Sequence, residues 1–404
     1  MKLMAINERN HGTISIGVRA PIIREGDDLV KIVTESVLAA AMGLGLKPAD
    51  RDVIGITESV VARAQGNYAT IDDIAADVKA KFGENTVGVI FPILSRNRFA
   101  ICLRGIAKGA KKIVLMLQYP DDEVGNKLVS EDVFYEAGHG DTTKLYDEAG
   151  FREVFGETKH EFTGVDYIEY YKELVAGCDC EVEVIFSNDC VDILKYTDCV
   201  LNCDIHTRKI TKKRLLAAGA KVVCGMDDIL TAPVSEGGGY NEKYGLLGSN
   251  KATEDKVKLF PNDPTDLVNA IQKEMLTMTG AKVEVMVYGD GAFKDPQGKI
   301  WELADPVVSP GFTEGLRGTP SELKLKYLAD NDYANLSGDE LKTAIRDRIT
   351  EKDHDLVGKM VSEGTTPRQL TDLLGSLCDL TSGSGDKGTP IIWIKGYFDN
   401  YTTL

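Results

Sequence analysis

The chain has 404 residues, 43% hydrophobic and 27% charged, a globular make-up too long for one ordinary core, so two or three domains are expected. A formal net charge of -16 excludes a broad nucleic-acid or anionic-membrane surface, although a small anion remains compatible with a local gathering of bases. No apolar run is long enough to cross a bilayer, and the start Met1-Lys-Leu-Met-Ala-Ile-Asn-Glu lacks the basic flank and apolar core of a leader, so a cytoplasmic location is expected.

Residues 13–18 read as a strand, and Gly26-Asp-Asp28 caps a helix whose apolar positions Leu29, Ile32, Val33, Val37 and Leu38 recur at helical spacing. Val53 to Ile56 is a second strand. It runs into Glu58-Ser59-Val-Val-Ala62-Arg63-Ala64-Gln65-Gly66-Asn67, whose polar side chains emerge at a strand's carboxyl end. There Arg63 suits a phosphate, and Gln65 or Asn67 suits the polar edge of a ligand. A further helix opens at Thr70 or Asp72 and ends near Gly83.

From about 85 to 235 strands and helices alternate more regularly. The apolar strands 86–92 and 112–117 flank a helical pattern over 97–110, which predicts a parallel β-α-β unit. Strands at 181–186, 199–202 and 221–224, with a helix over 212–218, extend this into a separate open α/β layer. Residues 132–163, holding His139 and His160, are polar and predict a long excursion from the sheet.

Two clusters stand beyond strand ends in this block. Ser95-Arg96-Asn97-Arg98, with Arg104 and Lys108, suits a phosphate or carboxylate at a helix start, and a solvated helix start accounts for the same residues. Tyr119-Pro-Asp121-Asp122-Glu123-Val-Gly-Asn126 groups carboxylates that suit a metal or an amine, with solvated loop charge as the plain alternative. His206 reads as a hydrogen-bonded loop residue. Of eight cysteines, Cys199 and Cys203 with His206 and an earlier cysteine would make a zinc set, but the spacing fits no common site, and reduced cysteines pack as small hydrophobes.

After a glycine-rich break at 236–240, residues 266–276 are helical and Val283 to Val287 is a strand. It ends in Tyr288-Gly-Asp290-Gly291, where the aspartate suits a hard cation and Asp-Gly equally suits a turn. Residues 320–348 read as mostly helical and charged. A last helix over 367–380 leads through Ser382-Gly383-Ser384-Gly385-Asp386-Lys387-Gly388 into the strand Ile391 to Lys395. These glycines let backbone amides approach a phosphate and Lys387 adds a charge, although the spacing is not that of a Walker A loop and a plain connector uses the same residues.

Taken in order, these pieces resemble the coenzyme F-420:L-glutamate ligase (gamma-glutamyl ligase) family. The similarity lies in Arg19-Ala-Pro21-Ile-Ile-Arg-Glu-Gly26-Asp27-Asp28-Leu29 and in Ala62-Arg63-Ala64-Gln65-Gly66, where the family has Ser-Lys-Ala-Glu-Gly. It continues through Gly248-Ser249-Asn250, Thr279-Gly280, Gly289-Asp290-Gly291 and the terminal glycine loop. The resemblance implies a homodimeric, nucleotide-dependent ligase that uses GTP or ATP with magnesium or manganese and adds glutamate, or a similar amino acid, to a carboxylate acceptor. It carries nucleotide contacts to Arg19, Pro21, Glu58, Ser59, Arg63, Ser249, Asn250 and the stretch Gly383, Ser384, Gly385, Asp386, Lys387, Gly388, and a metal to Asp290; Arg96 and Arg98, in a block without a family counterpart, are assigned to the acceptor's carboxylate by their charge.

The expected fold class is α/β: a ligase-like core from residues 1–90 and 236–404, and an inserted open α/β sheet over 91–235 that has no placed counterpart. The departures are Leu247 where the family holds metal with an aspartate, Asp290 displaced by about one position, Arg63 for lysine and Gln65 for glutamate. Two other functions stay open: a non-catalytic nucleotide or metabolite binder on this scaffold, and a different enzyme whose site lies in the inserted layer.

Overall fold

The computed structural model describes residues 11–138, 141–160, 163–289, 309–352, 356, 359–362, 368–382 and 386–403. The chain opens with β1 (Ile14–Val18), α1 (Leu29–Leu44), β2 (Val53–Thr57), α2 (Glu58–Ala64), β3 (Tyr68–Thr70) and α3 (Ile71–Phe82). Both long helices start where side chains replace missing backbone partners: Asp28 accepts from the Lys31 amide, and Thr70 and Asp73 form a reciprocal capping box.

The middle of the chain contributes β4 (Val87–Ile90), α4 (Phe99–Lys108), β5 (Lys112–Leu117), α5 (Glu131–Gly138), β6 (Tyr146–Asp147), α6 (Glu148–Phe155), α7 (Tyr167–Ala176) and β7 (Glu181–Phe186). It goes on through β8 (Cys199–Asn202), α8 (Arg208–Ala217) and β9 (Val222–Gly225). The remainder holds β10 (Asn250–Lys251), β11 (Lys256–Lys258), α9 (Thr265–Thr279), β12 (Glu284–Tyr288), β13 (Gly311–Phe312), the short α10 (Leu325–Tyr327), α11 (Gly338–Thr350), α12 (Leu370–Thr381) and β14 (Ile391–Lys395).

The α/β class holds, with three sheets. The first, in order β1-β14-β2-β12-β13, joins the two ends of the chain; β2 and β12 are parallel and every other pair is antiparallel. Its strands are covered on both faces. Ile54, Ile56, Val285 and Trp393 face α1 and α9, whereas Val53, Met286, Ile392 and Ile394 face α12. Gly55 sits where α12 comes closest: a Cβ there would lie 2.4 Å from the Cys378 sulfur.

The largest sheet runs β6-β7-β5-β4-β8-β9, with β6 antiparallel at the edge and the other five strands parallel. In chain order its parallel strands lie third, second, first, fourth, fifth, so strand order reverses between β4 and β8, as in doubly wound nucleotide-binding folds. α3, α4 and α7 cover one face, and α8 with the 190–195 turn covers the other. The predicted polar excursion is built differently: it forms α5 and α6 and returns β6 to the sheet, because Phe134, Phe151 and Phe155 pack around Tyr119. His160 is buried, its Nδ1 against the Thr163 hydroxyl, and His139 lies outside the described residues.

A three-stranded sheet, β10-β11-β3, lies beside both. Val257 and Leu259 reach the core of the large sheet, and Lys258 links back to α2. No helix among the described residues is long and apolar enough to cross a membrane.

Candidate functional site

Four strands of the first sheet deliver chain to one edge. Val18 pairs with Ile391, Ile391 with Ile56, and Thr57 with Tyr288, so the exits of β1, β2 and β12 and the entry to β14 stand in a row. Backbone bonds tie the segments together: the Ala20 amide donates to Gly388 O (3.2 Å), Thr57 to Pro390 O (3.1 Å) and Gly26 to Ala64 O (2.9 Å). This brings Arg19, Pro21, Asp386, Lys387 and Gly388, all exposed, toward the start of α2 with Glu58 and Ser59. Gly388 has φ 63°, a left-handed conformation that glycine adopts without strain. Gly383, Ser384, Gly385 and Asp290 lie outside the described residues.

Beside this edge is a cavity of about 540 Å³, lined among others by Ser59, Arg63, Asn250, Lys251, Lys256 and Lys258. Four cations around one cavity is an unusual density in a chain of net charge -16. Strand alternation explains part of it. Lys256 and Lys258 stand two residues apart on β11 and share a face, while Val257 between them turns into the core. Asn250, Lys258 and Tyr68 are cross-strand neighbours in one row of the three-stranded sheet.

The cations are held differently. Lys258 is nearly buried and bonds both carboxylate oxygens of the equally buried Glu58, at 2.9 and 3.0 Å. Lys251 pairs with Glu254. Arg63, exposed in the last turn of α2, and Lys256 make no ion pair among the described residues. Sequence motifs point to Ser59, Arg63 and Asn250 but not to the three lysines, whose legible signal is Lys256-Val257-Lys258, an alternating basic run in an acidic protein.

Several expectations are redirected. Gln65 and Asn67 serve the protein itself: Gln65 exchanges hydrogen bonds with the Asn262 backbone (3.2 and 2.9 Å), and buried Asn67 donates to Phe260 O (3.0 Å) and accepts from the Tyr240 amide (3.1 Å). Arg96 and Arg98 lie in the loop leaving β4 of the large sheet, a different layer from Arg63. Ser249 is buried with its hydroxyl 3.4 Å from the Cys102 sulfur, so it faces away from the cavity that Asn250 lines. Leu247 is buried as well.

Of the carboxylates after β5, Asp121 is half-exposed, whereas Asp122 and Glu123 are withdrawn from solvent. Asp122 is buried and accepts from the Leu94, Val124 and Asn126 amides (2.8, 3.0 and 2.9 Å) and from the Asn126 side chain (2.8 Å). Glu123 accepts from the Ile205 and His206 amides and from the His206 ring (3.0 Å), a bond that raises the histidine's proton affinity. Cys203 is buried with its thiol toward Leu201 O, so the suggested cysteine-histidine set is not assembled; all eight cysteines are free. Among the described residues no group of three or more His, Cys, Asp or Glu is arranged to hold a metal.

Burial pushes the Asp122 carboxyl up to about 6, against the pull of its four hydrogen bonds. Between the ordinary carboxylate range and that value the folded chain holds a proton that the unfolded chain has released, so stability falls as pH rises through this window. The expected loss is on the order of 3 kcal/mol. Urea unfolding at pH values on either side of that window should show it, and Asp122→Asn should flatten the dependence; an unchanged slope in the variant would assign it elsewhere.

No curated protein sequence matches the chain. A model of the family described as F420-0:Gamma-glutamyl ligase matches residues 17–396, which runs from within β1, through all three sheets, to the residue after β14. The strand edge and the cavity beside it both fall inside that span, and the protein belongs to the F420-0:gamma-glutamyl ligase family.

Proposed function

We propose that the protein is a nucleotide-dependent, metal-assisted ligase that joins glutamate, or a similar amino acid, to a carboxylate acceptor through an acyl phosphate. The observation that carries this reading is the cation-lined cavity at the edge where β1, β2, β12 and β14 meet. Arg63 and Lys256, which make no ion pair among the described residues, suit the phosphates of a nucleoside triphosphate, and the edge of Asp386 to Gly388 adds backbone amides and the Lys387 ammonium.

In this reading an acceptor carboxylate oxygen attacks the γ-phosphorus, the bond to the β-phosphate oxygen breaks, and nucleoside diphosphate leaves. The amine nitrogen of the amino acid then attacks the acyl carbon, phosphate departs, and the amine's proton passes to solvent. Arg63 and Lys256 steady charge on the transferred group, and the Glu58–Lys258 pair holds the cavity wall in place. Magnesium or manganese would lower phosphate charge further. Its carried-over ligand, Asp290, lies outside the described residues, and the buried Leu247 offers it no donor.

The test is titration of GTP and of ATP with magnesium or manganese present, followed by release of nucleoside diphosphate and inorganic phosphate with amino acid and candidate carboxylates. Saturable binding and amino-acid-dependent release are expected. Absence of binding by either nucleotide rejects the reading. Leu247 favours one competitor, a nucleotide-binding protein without turnover, for which binding would survive Asp290→Asn and no carboxylate would support release.

A further inference from the structure

Among the described residues that line the cation-rich cavity there is one carboxylate, Glu25, and it pairs with none of the four cations around it. A carboxylate in such company is drawn onto a cation unless the backbone holds it away. Here the backbone does so. Glu25 stands at the corner of a turn closed by the Asp27 amide on Arg24 O (3.2 Å) and by the Arg24 amide on the Asp27 carboxylate (2.6 Å). The Gly26 amide, bonded to Ala64 O (2.9 Å), fastens this turn to the end of α2.

Gly66 completes the placement. It has φ 66°, and a Cβ there would lie 2.6 Å from the Glu25 carboxyl carbon, so only glycine lets the carboxylate rest against this stretch of backbone. The neighbouring acids are already engaged: Asp27 by the Arg24 amide, Asp28 by the Lys31 amide and Glu58 by Lys258. Glu25 is exposed and has no hydrogen bond or ion pair among the described residues.

The cavity therefore offers open charge of both signs, Arg63 and Lys256 against Glu25. Phosphates match the first. Glu25 matches a cation, and the ligase chemistry has one to place: the protonated amine of the amino acid, which has to stand beside the acyl phosphate before it can react. A divalent ion is the competing occupant, yet no second carboxylate among the described residues stands open beside Glu25 to share it. We propose, resting on the ligase reading, that Glu25 recognises the amino-acid substrate by accepting hydrogen bonds from its primary ammonium, and so holds the nitrogen next to the phosphates.

The test is calorimetric titration of L-glutamate, L-aspartate and L-alanine into the full chain, each against the acid that lacks its amine: glutarate, succinate and propionate. Every titration is run with and without GTP or ATP and magnesium. A chain that binds no nucleotide then rejects the ligase reading, while the amine comparison still judges Glu25. At least one amino acid is expected to bind saturably and at least about five-fold tighter than its matched acid, and Glu25→Gln should remove that preference. Glu25 is exposed, so the variant should fold as wild type does. Magnesium nucleotide should bind the variant at least as tightly as wild type, because a negative charge has left the cavity. A fall in that affinity would assign Glu25 to the metal and overturn the proposal. Matched acids that bind as tightly as the amino acids, a preference that survives Glu25→Gln, or no saturation by any amino acid at tens of millimolar would overturn it too.

Discussion

Lys258→Met is expected to lower the free energy of unfolding by about 3–5 kcal/mol. Lys258 and Glu58 are each less than a tenth exposed, and the ammonium bonds both carboxylate oxygens, so neither charge has bulk water to fall back on. Removing the lysine takes both of these bonds and their charge away from a carboxylate that stays buried. That residual charge, rather than the lost attraction, dominates the cost. The double variant Glu58→Leu with Lys258→Met should therefore recover most of the stability, since an apolar pair of similar volume has no charge to desolvate. Urea unfolding of the two singles and the double gives the coupling energy directly. A loss under about 1 kcal/mol for Lys258→Met would mean that the pair is hydrated and behaves as a surface bridge.

That pair also shows where the sequence stops being legible. Three strands of the first sheet are legible, because Val53 to Ile56 and Ile391 to Ile394 are buried on both faces and read as apolar runs, and Val283 to Val287 does so with the buried Glu284 as its one interruption. The long helices are legible through period and caps at Asp28 and Thr70. β11 is not. It is three residues long, two of them lysine, it follows Glu254-Asp255, and it is held as the middle strand between the two-residue β10 and β3, the latter about 190 residues earlier in the chain. The same non-local contact turns Lys258 from a surface charge into half of a buried pair. Asp122 was misread for a related reason: its Asp-Asp-Glu setting looks solvated, and burial comes from the loop after β4 closing over it. Strand order, which reverses between β4 and β8, has no local signal at all. Arg63 and Asn250, by contrast, were reached by the order of short motifs, and the fold places them on one cavity across 187 residues of chain.

Arg63→Ala is expected to weaken nucleotide binding by about 10- to 100-fold, and Arg63→Ala with Lys256→Ala by more, with little change in stability. A hydrogen bond from a charged donor to phosphate contributes about 1.5–3 kcal/mol, and these two side chains make no ion pair among the described residues, Lys256 acting on Asp73 only through its field. Lys251→Ala is the matched control. Its ammonium is already engaged by Glu254, so its loss should matter less. Salt sharpens the distinction. A polyanion reaches a chain of net charge -16 only where local bases outweigh the overall field, so wild-type affinity should fall steeply with ionic strength and the double variant should show a shallower slope. Calorimetric titration of GTP and ATP at two salt concentrations measures both quantities. Equal affinity and equal slope in wild type and double variant would place the nucleotide away from this cavity, and the four clustered cations would then need a different anion to explain them.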